Sequence, residues 1–135
     1  MMIRAGYVGR TPWGAPKAEA GDRLVRRSTI GPYLHYGAGI GPDLVVHCDW
    51  DHGCHVGTTD EYAKGLPFAR ERFPVDAPVV FERGMRTAGL PLDPLSWNCE
   101  HNANYVLFGV PHSQQVANTV LVVAVALGLW AALKN

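Results

Sequence analysis

The stretch PYLHYGAGIGPDLVVHC, residues 32–48, sets the reading of the whole chain. It has two short runs enriched in aromatic and β-branched residues, YLHY and LVVH, separated by glycines and a Gly-Pro-Asp turn signal, which is the pattern of an antiparallel hairpin. His35 and His47 lie six residues either side of Gly41. A hairpin centred there places the two imidazoles directly opposite each other on one face, with Cβ atoms about 4.5–5.5 Å apart. That outcome requires an odd-length turn, because a slip of one residue sends one histidine to the other face. Upstream, DRLVRRS at 22–28 has the same texture and supplies a third antiparallel strand.

Downstream, DWDHGCHVG (49–57) reads as a loop, and Thr59 is placed to cap a short helix in TTDEYAKG. The segment Leu66–Val75 fits neither period. Pro78 suits the first turn of a helix through VVFERGMRTA, ended by Gly89. Beyond LPLDPLSW a further helix begins near Asn98, with Ala103, Val106, Leu107 and Val110 on one stripe and Gly109 and Pro111 as stops. From Ser113 to Leu133 no residue is ionisable, and TVLVVAVALGLWAAL from Thr119 is apolar on every face. Such a helix is either buried or a membrane anchor. The chain divides into an irregular lead-in (1–20), a catalytic domain (21–112) and an apolar C-terminal helix (113–135). The fold class is α+β, a small antiparallel sheet packed on helices.

With 135 residues the chain is long enough for one core, and 12 basic against 12 acidic residues leave no net charge. That balance excludes broad attraction to nucleic acid. The three cysteines are Cys48, Cys54 and Cys99, and no apolar run marks the N-terminus as a secretory leader, so a reducing compartment fits better than a disulfide scaffold. A Cys48–Cys54 bridge is compatible with the sequence, and Cys99 is a free thiol in either case.

Cys99 follows Asn98 at the start of a helix, where unpaired N–H groups and the positive end of the helix dipole favour a thiolate. Beside an imidazole, such a thiol is a competent nucleophile. The bland alternative is a small buried hydrophobe. A second cluster, His47, Cys48, His52, Cys54 and His55, has the density of a zinc site. Its spacing matches none of the common structural sites, and Cys48 points away from His47 if both lie on a strand. A solvated polar loop is the preferred reading, with no metal and no cofactor.

The segments YLHYGAGIGPDLVVH and NCEHNANYVLFGVPHSQQV resemble the two signature blocks of the lecithin:retinol acyltransferase-like proteins, which include the H-Ras-like suppressor phospholipase/acyltransferases. The resemblance runs from Gly21 and Asp22 to the C-terminus. It implies a circularly permuted, NlpC-type papain-like fold with the histidines ahead of the cysteine, and an acyl-enzyme mechanism. Cys99 would then attack an acyl carbonyl, His35 would take its proton and His47 would orient His35. Tyr33 matches a tyrosine of the phospholipase members and would help bind the oxyanion, alongside the backbone N–H of Cys99. Glu100 and His101 match the motif and read as structural, while Asn102 replaces an aromatic.

The reading that follows is a thiol-dependent acyl hydrolase or acyltransferase acting on glycerophospholipid esters at the cytoplasmic face of a membrane. Residues 116–133 would contact the membrane surface, or mediate self-association. The alternatives are a cysteine peptidase or cell-wall amidase, and a non-catalytic, membrane-tethered interaction domain.

Overall fold

The computed structural model describes residues 16–134 and the backbone of a strand at 5–8. Six strands form one antiparallel sheet: β1 (Ala5–Val8), β2 (Asp22–Arg27), β3 (Leu34–Gly41), β4 (Leu44–Asp49), β5 (Gly53–Gly57) and β6 (Phe68–Arg72), in the order β1-β6-β2-β3-β4-β5. The helices are α1 (Thr59–Ala63), α2 (Ala77–Thr87), α3 (Cys99–Phe108) and α4 (Gln114–Lys134). Successive residues on a strand face opposite ways, so Val45 and Val46 enter two separate cores. Val45 joins Leu24, Tyr62 and Phe68; Val46 joins Ala38, Ile40, Val80, Ala103 and Val106, where α2 and α3 cover the sheet. The α+β class, with a small antiparallel sheet on helices and an apolar C-terminal helix, is as expected.

The hairpin differs from expectation in register. Its turn is Gly41-Pro42-Asp43-Leu44, with Gly41 paired to Leu44 and Asp43 at φ 53°. Proline followed by a residue of positive φ is the type II turn. Asp43 holds that conformation by donating its N–H to the Ala18 carbonyl (2.8 Å) and accepting from the N–H of Thr59 (3.0 Å). Continued unchanged, this register would set His47 against Ala38 and place His35 on the opposite face. Between Gly39 and Gly41 the ladder shifts, leaving Ile40 as an extra residue, and Gly37 becomes the partner of His47. The bulge restores the common face. His35 is therefore diagonal to His47, two residues from the directly opposed position expected.

Further differences follow from strand pairing and capping. Part of the supposed lead-in is a strand, since β1 pairs with β6, while residues 1–4 and 9–15 lie outside the described residues. The loop expected at 49–57 contains β5, which pairs with β4 from Val45↔Gly57 to Asp49↔Gly53. Directly opposed in that ladder, Cys48 and Cys54 form a disulfide, so the odd cysteine count behind the reducing-compartment expectation is one bridge plus one free thiol. The cap of α1 is Thr58, not Thr59, because Thr58 closes a capping box with Glu61. The undecided segment around residue 70 is β6.

α4 departs from the globule. None of its residues is buried, and among the described residues it is the one helix long and apolar enough to cross a membrane. The buried-core alternative for the tail is thereby removed.

At Gly39 the backbone of β3 lies so close to the chain before β2 that a Cβ would overlap the carbonyl oxygen of Glu19. Gly39→Ala should destabilise the fold by about 1–3 kcal/mol. Gly128→Ala, which meets nothing within 4 Å, should change stability by less than about 0.5 kcal/mol. Urea midpoints of the two variants make the comparison.

Candidate active site

Asn98 is the N-cap of α3, and its side chain accepts from the N–H groups of Glu100 (2.9 Å) and His101 (3.0 Å), while His101 Nδ1 accepts from the N–H of Asn98 (3.2 Å). This reciprocal cap fixes Cys99 as the first helical residue. Glu100 is buried and accepts from Ser113 Oγ (2.7 Å) and the N–H of Gln115 (3.0 Å), tying the start of α4 to the start of α3. Glu100 and His101 are thus structural, as the sequence indicates. Asn102, in place of an aromatic, is fully buried and accepts from Trp97 Nε1 (3.1 Å).

The half-buried Cys99 thiol lies 3.7 Å from the carbonyl oxygen of Leu34, the residue before His35. Gln115 pairs with the same residue: its Oε1 accepts from the N–H of Leu34 (3.0 Å) and its Nε2 donates to the Leu34 carbonyl (3.3 Å). A glutamine amide carries one acceptor and donors in the pattern of a neighbouring strand. The sequence singles out Ser113-x-Gln115-Val116 as part of a pattern without giving Gln115 this task.

Both histidines are buried, and His35 Nε2 lies 3.0 Å from His47 Nδ1. Tyr62 holds the pair in place. Its ring stacks on His35 and meets His47 edge-on, and its hydroxyl donates to the His35 carbonyl (2.7 Å). Gly37, opposite His47, leaves the space for that ring; a Cβ there would lie 2.8 Å from Tyr62. Arg26, paired with His35 across β2 and β3, donates from Nε to the Tyr62 carbonyl (2.7 Å). Neither Tyr62 nor Arg26 has a recognisable local motif.

Burial, reinforced by the Arg26 guanidinium, lowers the pKa of His35 to about 3; burial and the neighbouring His35 do the same for His47. Burial pushes the Cys99 thiol up, and the Glu100 carboxylate adds to this, against the N–H groups of Tyr36, Glu100 and Cys99 itself. The thiolate expected from the helix terminus alone is thus outweighed by desolvation. The resting site holds a neutral thiol and neutral imidazoles.

A cavity of about 450 Å³ is lined by Arg26, Tyr33, His35, Asp49, Lys64 and Cys99, and on one side by Gln115, Val116 and Thr119 of α4. Tyr33 lies just before β3 and is exposed, lining the cavity. The supposed polar loop is also changed: β5 brings His47, Asp49 and His55 together, with one ligand atom from each within 4.8 Å of the others. Cys48 and Cys54, joined to each other, are outside this group.

A free cysteine in the first turn of a helix and one member of a hydrogen-bonded histidine pair, His35, line the same cavity, an arrangement suited to thiol chemistry on acyl groups. No family model matches the chain. The chain is 33% identical over 75 residues to phospholipase A and acyltransferase 3 of Mus musculus, a match covering 54% of this chain and 46% of that protein. The relationship is distant and of family level, and the chain spans less than half the length of that curated relative.

Protonation of the buried histidines links folding to pH. In the unfolded chain they take up protons near 6.5, but in the fold only near 3. The stability they contribute is therefore present above about pH 6.5 and lost as the pH falls toward 3. Urea midpoints between pH 7 and pH 4.5 should fall more steeply for the wild type than for His35→Gln, which keeps only His47 of the two buried imidazoles.

Proposed function

We propose that the chain is a thiol-dependent acyl hydrolase or acyltransferase that acts on glycerophospholipid acyl esters. The observation that carries this reading is that the cavity holding Cys99 and His35 has the root of the exposed apolar helix as one wall. An apolar helix with no cover in its own fold requires a lipid or protein environment. Inserted in a bilayer, it brings the cavity to the lipid surface. The mouse relative, named for phospholipase and acyltransferase activities, supports the same choice over a peptide.

His35 uses Nε2 toward His47, leaving Nδ1 to receive the Cys99 proton. As sulfur attacks the ester carbonyl, the S–H proton passes to His35 Nδ1, and the carbonyl π electrons move onto oxygen. Asn98 occupies the N–H groups of Glu100 and His101, so the N–H of Cys99 is the first-turn donor left for the oxyanion. Tyr33 contributes at the rim. Collapse expels the lysolipid alkoxide, which takes the proton from His35, and a thioester remains on Cys99. Water, an alcohol or an amine then attacks the thioester with His35 as base. His47 positions His35 throughout.

Cys99→Ser and His35→Ala should each lower turnover by at least about 10²-fold with the fold intact. His47→Ala should lower it less. Intact mass after incubation with phosphatidylcholine vesicles should show an acyl adduct on Cys99. Labelling by peptide esters alone would favour the peptidase reading, and no labelling of a folded protein the non-catalytic one.

The tail gives a separate test. Gln115 holds Leu34, and Thr119 lines the cavity, so a truncation that spares the site begins beyond Thr119. Removing residues 120–135 should cut activity on vesicles at least tenfold and leave hydrolysis of a short soluble ester within about twofold. Equal retention of both activities would overturn the anchor.

A further inference from the structure

We propose that His47, Asp49 and His55 bind a divalent transition-metal cation of the zinc class, and that its occupancy silences the Cys99–His35 pair. The silencing rests on the catalytic reading above; the site itself does not.

The sheet lines up imidazoles from three adjacent strands, His35 on β3, His47 on β4 and His55 on β5, with His47 and His55 directly opposed. The His47 and His55 ring centroids are 4.3 Å apart. Asp49, two residues along β4, shares their face, and its own partner is Gly53, which puts no side chain in the way. His55 Nε2 lies 3.7 Å from Asp49 Oδ2, and one ligand atom from each of the three residues falls within 4.8 Å of the others.

His47 is 2% exposed; its Nδ1 is engaged by His35, and its Nε2 is buried with no hydrogen-bond partner. An orphaned buried ring nitrogen is costly unless something binds it. Two imidazoles and a carboxylate suit zinc, whose bonds of about 2.0–2.2 Å require the donors to close to about 3.3 Å apart. The Asp49–His55 pair is already near that separation. The fourth position falls to water or to the exposed His52, whose ring centroid is 5.3 Å from that of His55. The Cys48–Cys54 disulfide joins the same two strands and withholds both thiolates, so the ligand set is nitrogen and oxygen.

A metal ion on His47 Nε2 takes the lone pair of that nitrogen. The single proton of the neutral ring then resides on Nδ1 and is donated to His35 Nε2. The proton of His35 is thereby confined to Nδ1, the atom that must accept from Cys99. With the metal removed, His47 carries its proton on Nε2 and accepts at Nδ1 from His35 Nε2–H, which restores the Nδ1 lone pair of His35. One hydrogen bond, reversed in direction, separates an active base from a blocked one.

Zinc chloride is titrated into full-length Cys99→Ser protein in detergent, with the disulfide intact, and binding is measured by calorimetry. The expected result is one zinc per chain, with affinity at least tenfold weaker in the Asp49→Asn and His55→Gln backgrounds. Unaltered affinity in both folded variants would overturn the site. In wild-type protein, zinc should slow iodoacetamide alkylation of Cys99 at least tenfold relative to chelator, and His55→Gln should abolish that slowing. Tight binding with unchanged alkylation would overturn the silencing. Because binding is read on a protein without the thiol, failure of lipid acylation leaves the metal result standing.

Discussion

The register of the β3–β4 hairpin changes by one residue at Ile40, and the histidine pair depends on that change. The Gly41-Pro42-Asp43-Leu44 turn by itself gives a register of the wrong parity. Ile40 takes up the difference by turning into the core beneath α2, where Gly84 admits it; a Cβ at Gly84 would lie 2.7 Å from the isoleucine. A small residue on one helix thus lets a strand carry an extra residue, and the extra residue brings two imidazoles to one face. The 3.0 Å contact between them then spans a diagonal of the ladder. A direct pair would have occupied the space now filled by Tyr62.

The same face shows why this site differs from a solvated thiol–imidazole pair. Tyr62, Arg26 and the disulfide-linked strands enclose the histidines, and desolvation dominates every other influence on them. A helix terminus stabilises negative charge on sulfur by about 0.3–1 kcal/mol at exposed positions, which is too little to offset removal from water. The proton therefore stays on sulfur in the resting site. Side chains of Gln115 and Asn98 converge on the backbone around Cys99 and Leu34 and hold it in place.

Much of this was legible in the sequence, for reasons that can be traced to particular residues. Asn98 before Cys99, Gly109 after Phe108 and Pro78 in the first turn of α2 act locally, and their helices lie where expected. The hairpin was recognisable from its turn, and the shared face of His35 and His47 was reached through a register that the structure does not use. β5 escaped notice because GCHVG has little strand propensity of its own. It is held by β4 on one side and by the Leu90 carbonyl and Gly89 N–H on the other. β1 likewise takes its conformation from β6, more than sixty residues away. Gln115 was hidden for a different reason: a side chain that substitutes for a strand has no periodicity to reveal it.

The lining of the cavity by Thr119 sets a length scale. From Val120 to Lys134 fifteen residues remain, which at about 1.5 Å each reach about 22 Å, against a hydrocarbon core of about 30 Å. With the cavity rim level with the boundary of that core, these fifteen residues reach into the opposite leaflet. For these residues to cross the core, the rim must sink by about 8 Å. On the proposed function, either geometry gives an acyl chain a path along the helix surface to the sulfur that need not open to bulk water.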